Sequence, residues 1–315
     1  MAGDRAEQAA RARTLNAWRR LGYRFMPGDS FSYVLHMRPA EWPIMAAHTL
    51  LGYLLAVGLS PAAITETWAP ALLGLVLWVV CLNGGTLALN SAFDRDAGDI
   101  GYLSAPPPPP RHLAAFSLAL MAVGQGIALL LPPIFAIAYG VCFVLSILYS
   151  VPPLRLKAVA GADWLINMWG FGTLTPLAAW ALSGRPLEPW ALLVILAFCP
   201  LFAGFYPLTQ LYQFEEDRRR GDRTLALVLG MRRSLQVAVA CTAAAFLLFF
   251  LAAAALPAGP RQVLLLIPLA AWLAVLLPWL RKHAAMTPEQ HQRGMYAALR
   301  AWALTDIAVL AVFAL

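Results

Sequence analysis

Charge is what this chain has least of: 12% of its 315 residues are Asp, Glu, Lys or Arg, while 61% are hydrophobic. An ordinary soluble domain carries about twice that share of charge, so a soluble fold is excluded. Sustained alternation of apolar and polar residues is missing as well, which excludes the strands of a barrel and leaves helices. Cysteine is sparse. Cys81, Cys142, Cys199 and Cys241 lie far apart in apolar sequence, with no CxxC pair and no neighbouring histidine. They read as buried small hydrophobes, not as a disulfide framework or a zinc site. No short apolar region with a small-residue cleavage site begins the chain, so no cleavable signal peptide is expected. The basic run "RRRGDR" from Arg218 lacks interleaved aromatics and any known reading module, and nucleic acid is not expected as a partner.

Long apolar runs are abundant. Nine stretches, at about 42–60, 70–90, 112–131, 133–150, 163–182, 189–211, 234–256, 263–280 and 297–315, are long enough to cross a bilayer as helices. The expectation is an all-α polytopic membrane protein with nine transmembrane helices. Arg5, Arg11, Arg13, Arg19, Arg20 and Arg24 precede the first run and make that end cytoplasmic. With nine crossings the C-terminus is outside. Of the 23 Lys and Arg only Arg185 and Arg261 then fall outside, which accounts for the +7 formal charge. A bacterial inner membrane is the expected location.

The basic residues 1–31 read as a cytoplasmic extension ahead of a membrane domain spanning 32–315. Leu15, Trp18, Leu21 and Phe25 recur at roughly helical spacing there, as in a surface amphipathic helix, although Gly22 interrupts the pattern and a frayed tail fits equally. Pro106 to Pro110 cannot be helical, because proline lacks the amide donor. They are expected to form a stiff polyproline II spacer.

Two inner loops stand apart. "NSAFDRDAGD" runs from Asn90 to Asp99, and "YQFEEDRRRGDRTL" runs from Tyr212 to Leu225. Together they hold Asp94, Asp96, Asp99, Glu215, Glu216, Asp217 and Asp222, seven of the chain's 16 acidic residues. Asn90 and Asp94, like Gln213 and Asp217, are four residues apart, so each pair shares a helix face. Gly98 lets the backbone unwind and bring Asp96 or Asp99 round. Hard oxygen donors without His or Cys suit Mg²⁺ bridging to phosphate.

These motifs resemble those of the UbiA superfamily of intramembrane prenyltransferases. "NSAFDRDAGD" is similar to its first aspartate-rich motif and "YQFEEDRRRGDRTL" to its second. "YSVPPLRLK" from Tyr149 is similar to its motif after the fourth span, and "RPAEWP" from Arg38 to its approach to the first. The resemblance implies nine helices around a central cavity, and two Mg²⁺ ions holding an isoprenyl diphosphate whose prenyl group passes to an aromatic or other lipophilic acceptor as diphosphate leaves. Carried over by position, it implies Asn90, Asp94, Asp96 or Asp99, Gln213 and Asp217 as metal ligands. It puts Tyr149, Ser150, Arg155 and Lys157 near the diphosphate, with Arg38 and Arg111 as further basic contacts, and gives Asp94, Asp217 and Tyr149 the catalytic roles. The chain departs from the pattern at Gly98, where a third aspartate is usual, at Gln213, which replaces an aspartate, and after the first motif, where prolines run to Arg111 in place of an Arg-Pro pair.

Departure of diphosphate from an allylic carbon leaves a carbocation and a highly charged anion. Metal and basic side chains stabilise the anion, and an apolar chamber keeps water from the cation. Phe93, Tyr149, Trp164, Trp169, Phe205, Tyr206 and Tyr212 are candidates to face the cation, each also readable as packing or an interface anchor. Asn167 and Asp306 are polar residues inside apolar runs, which are costly in lipid. Two other readings remain at this stage: a non-catalytic isoprenoid-binding relative, and a transporter with acidic inner gates.

Overall fold

The computed structural model describes residues 17–26, 28–94, 103, 105–257 and 259–315, and among these no residue lies in a β-strand. Asp96, Asp99 and Gly98 fall outside them, so the end of the first acidic motif lies outside the described residues. Two short helices, α1 (Ala17–Phe25) and α2 (Ser30–His36), precede the apolar helix α3 (Trp42–Val57). A long helical segment follows, in which α4 (Pro61–Val76) continues through a π-helical stretch, Leu77–Gly84, into α5 (Gly85–Asp94). Next come α6 (Leu113–Ala128), α7 (Pro133–Ser150) and the pair α8 (Ala162–Asn167) and α9 (Thr175–Ala181), joined by a second π-helical stretch, Met168–Leu174. The chain ends with α10 (Pro189–Gln210), the short α11 (Phe214–Arg220), and α12 (Leu225–Ala254), α13 (Leu266–Lys282) and α14 (Pro288–Phe313).

Among the described residues six helical segments are long and apolar enough to cross a membrane: Ile64–Asp94, Pro133–Ser150, Pro189–Gln210, Leu225–Ala254, Pro260–Ala285 and Pro288–Phe313. The protein is a polytopic helical membrane protein. Several helices extend beyond the apolar runs. The last starts at Pro288, behind a capping box in which Thr287 and Gln290 satisfy each other's backbone amides. Hydropathy sees only the lipid-compatible part of such a helix.

Close packing depends on absent side chains. A Cβ on Gly52 of α3 would lie 2.1 Å from the Pro176 carbonyl oxygen of α9, so only glycine lets these helices meet. The core contains fully buried Trp272, Tyr139, Phe135 and Phe198, and all four cysteines are free. Of the N-terminal pattern, Trp18, Leu21 and Phe25 lie on α1 and are exposed, and Leu15 falls outside the described residues. Gly22 lies against the Phe31 ring, where a Cβ would collide with it. The pentaproline is non-helical and is also anchored. Arg19 Nη2 donates to the carbonyl of Ala105 (3.1 Å), and His36 Nε2 is 3.1 Å from that of Pro107.

Candidate functional site

The two acidic segments meet at one end of the helices. Asn90 and Asp94 lie on the last turns of α5, one above the other as their spacing requires. Asp217 lies on α11, and Gly221, which caps that helix, turns the chain at φ 74° and delivers Asp222 back toward Asp217; the Asp222 amide donates to the Asp217 carbonyl at 3.0 Å. A positive φ is cheap for glycine, which explains the residue at this turn.

Between the segments stands the loop after α7. Arg155 Nη2 bonds Asp94 Oδ1 at 3.1 Å, and its guanidinium forks onto both oxygens of Asp222. This one side chain joins the first acidic motif to the second. Its backbone has φ 37°, an unfavourable region for a residue with a Cβ, held here by ion pairs on both sides. Lys157 pairs with Asp94 and donates to Asn90 Oδ1 at 2.7 Å, and Ser150 Oγ donates to the same oxygen at 3.1 Å. Arg220 contacts Asp217 Oδ1 at 2.7 Å and Asp222 Oδ2 at 3.2 Å, and Thr224 Oγ1 donates to Asp217 at 3.4 Å. A short parallel bridge between Val159 and Arg223 ties the two loops through their backbones.

Asp217 is only 3% exposed, and burial raises its pKa, reinforced by Asp222 and opposed by Arg220. Such a carboxylate gains from any added positive charge. Burial works against the charge on Arg155, but the hydrogen bonds and charges of Asp222 and Asp94 outweigh it and raise its pKa.

Beneath this charged end a cavity of about 470 Å³ runs into the helices. Asn90, Asp94, Tyr149, Lys157, Gln213 and Asp217 line one part of it, and Arg38 joins them from before α3. Farther in, the wall is aromatic: Phe171 and Phe202 stack at 5.2 Å, and Trp302 meets Phe202 edge-on at 5.6 Å. Of the aromatic candidates from sequence, Tyr149, Phe205, Tyr206 and Tyr212 line the cavity, and the Tyr149 and Tyr206 hydroxyls are 2.8 Å apart. Phe93, Trp164 and Trp169 do not line it; Trp164 donates to Ala203 O at 2.7 Å in helix packing. Arg111 is exposed at the foot of α6, outside the lining, so it is not brought together with the other basic candidates. Asp306 faces His48 at 3.5 Å, whose other nitrogen is 3.2 Å from the Phe171 carbonyl oxygen.

Sequence reasoning missed the linking roles of Asp222 and Arg220, and missed Asp163 entirely. Asp163 accepts from the Gly161 amide (2.9 Å), Gln210 Nε2 (3.0 Å) and the Leu225 amide (3.0 Å), tying α8 to the end of α10 and the start of α12. An acid directly after "VAGA", at the head of an apolar run, was the available signal, and the structure buries it fully.

Among the described residues no three His, Cys, Asp or Glu side chains are close enough to hold a metal ion by themselves. Asn90, Asp94 and Asp217 nonetheless offer hard oxygen donors beside the cationic side chains of Lys157, Arg155 and Arg220. That donor set fits Mg²⁺, which holds few protein ligands and completes its shell from phosphate and water.

Fold and site together define a helical membrane protein with a charged, oxygen-rich end on a largely apolar cavity. The chain belongs to the UbiA prenyltransferase family, which it matches over residues 45–304. It is 30% identical over 206 residues, 64% of this chain and 70% of the relative, to a digeranylgeranylglyceryl phosphate synthase of Natronomonas pharaonis. It is 28% identical over 203 residues, 63% of this chain and 71% of the relative, to a lycopene elongase/hydratase of Halobacterium salinarum. In structure it is similar to a UbiA homolog from Archaeoglobus fulgidus bound to DMAPP and Mg²⁺, at a TM-score of 0.64 and 18% identity, covering 89% of this chain and 99% of that one. The protein is a prenyltransferase of the membrane.

Proposed function

We propose that the protein transfers a prenyl group from an isoprenyl diphosphate to a lipophilic acceptor in a Mg²⁺-dependent reaction, with two ions held between the acidic segments. The observation that supports this most directly is Arg155 bridging Asp94 and Asp222, which brings oxygen donors from distant parts of the sequence to one cavity mouth. Asn90, Asp94 and Asp217 hold the metal, with Gln213 at the edge of the set. Bound Mg²⁺ offsets the charge that develops on the departing diphosphate. Lys157, Arg155 and Arg38 orient that diphosphate, and Ser150 keeps Asn90 turned toward it. Phe171, Phe202 and Trp302 exclude water around the allylic carbon and offer ring faces to positive charge there.

In this reading α3, the α4–α5 segment, α6, α7, the α8–α9 segment, α10, α12, α13 and α14 are nine crossings around a central cavity, and residues 32–315 form the membrane domain behind the 1–31 extension. The N-terminus and both acidic segments are cytoplasmic and the C-terminus is outside, by the distribution of Lys and Arg.

The test is prenyl transfer from geranylgeranyl diphosphate into membrane lipids by Asp94→Ala and Asp217→Ala. Each is expected to lose at least about 100-fold in rate, the scale of removing a group that stabilises transition-state charge, while eluting as a folded protein in detergent. Full activity in both variants sinks the proposal.

A further inference from the structure

We propose that Asn83 is the residue that recognises the acceptor, by hydrogen bonding a hydroxyl or carbonyl oxygen on it, so that the acceptor is an oxygenated lipid and not a plain hydrocarbon. The proposal rests on the prenyl-transfer reading above and specifies the second substrate.

Asn83 lies in the π-helical stretch Leu77–Gly84, lines the cavity, and is 7% exposed. Its amide makes no hydrogen bond to any described residue. The other polar groups of that wall are engaged. Thr86 and Ser146 bond each other at 2.7 Å, Thr175 donates to the Gly170 carbonyl at 2.9 Å, Asn167 donates to the Asp163 carbonyl at 2.8 Å, and His48 is held between Asp306 and Phe171. The amide opens onto the cavity, where it is available to hydrogen bond whatever occupies it. Short π-helical insertions recur at functional sites, where they turn a chosen side chain out of the regular helical register.

Position supplies the rest. Asn83 and Asn90 both face the cavity and are seven residues apart, two helical turns or about 10 Å along the axis. Asn90 is at the diphosphate end, so Asn83 stands beside the path of the prenyl chain beyond the carbon that reacts. An acceptor lying along that chain presents one of its own atoms to Asn83. An amide carries both a donor and an acceptor, and it pairs with a hydroxyl or a carbonyl; a hydrocarbon gives it nothing. Failure to meet a buried hydrogen-bonding group discriminates far more strongly between ligands than a change of one methylene does.

The experiment uses the full chain in lipid nanodiscs and two probes that differ by one oxygen, 4-nonylphenol and nonylbenzene. Binding is read by tryptophan fluorescence, to which Trp78 and Trp302 on the cavity wall contribute. Wild type is expected to bind the phenol about tenfold more tightly than Asn83→Leu does, the worth of one buried hydrogen bond, with equal affinity of the two proteins for nonylbenzene. Partition of each probe into lipid is the same for both proteins and cancels. Unchanged phenol binding in Asn83→Leu overturns the proposal, as does an equal loss of both probes, which would make Asn83 part of the wall's shape. The probes need neither donor nor Mg²⁺, so a protein that shows the Asn83-dependent preference yet transfers no prenyl group refutes the reading above and not this one.

Discussion

Arg155 takes its two carboxylate partners from opposite halves of the chain, and Asp222 answers it while also holding Arg220. Asp222 thereby holds Arg155 and Arg220 beside Asp94 and Asp217. Asp222→Asn is therefore expected to raise KM for the prenyl diphosphate roughly tenfold, with a smaller loss of kcat than either Asp94→Ala or Asp217→Ala gives; steady-state kinetics against donor concentration will decide. Residue type at helical spacing pointed to Asn90, Asp94 and Asp217, and all three line the cavity. Asp222 was visible only as one more acid after a glycine. Its role depends on where Gly221 turns the chain and on which arginine waits there, and neither is encoded in a short pattern.

Helices were readable as elements because lipid demands long apolar runs, and their positions followed. Their interruptions were not. The π-helical stretches 77–84 and 168–174 have the same apolar composition as their neighbours, yet both contribute to the cavity wall. The start of α12 was hidden for another reason: residues 225–231 are apolar but few, and the kink at Gly230 (φ 73°, ψ 167°) and the pair Arg232 and Arg233 cut them off from the apolar run behind. At that junction Asp163 accepts from the first amide of α12 and from the end of α10. Asp163→Ala leaves buried donors unmatched and is expected to cost about 2–5 kcal/mol, read as a lowered Tm of the protein in detergent. A Tm equal to wild type would show that the junction is held by packing alone.

For the whole molecule, the orientation proposed from the placement of Lys and Arg can be tested by labelling. In right-side-out vesicles a thiol probe that does not cross lipid is expected to modify Arg185→Cys and to reach Arg111→Cys only after permeabilisation, since the two positions lie at opposite ends of the helices in the nine-crossing arrangement. Labelling of both from outside reverses or breaks that topology. The ion pairs at the cavity mouth also govern how such a protein behaves at rest. Lys157 and Arg155 already occupy Asp94 and Asn90, like hands on a seat being saved. If Asn90 and Asp94 hold Mg²⁺ as proposed, a lone ion would have to displace both cations, whereas diphosphate bound with it would give both a new anion to hold. Calorimetry is accordingly expected to find feeble Mg²⁺ uptake by the protein alone and strong uptake once inorganic diphosphate is added. On that proposed ligand set the enzyme would stay indifferent to the cell's abundant free magnesium and commit its charges only when cargo comes with it.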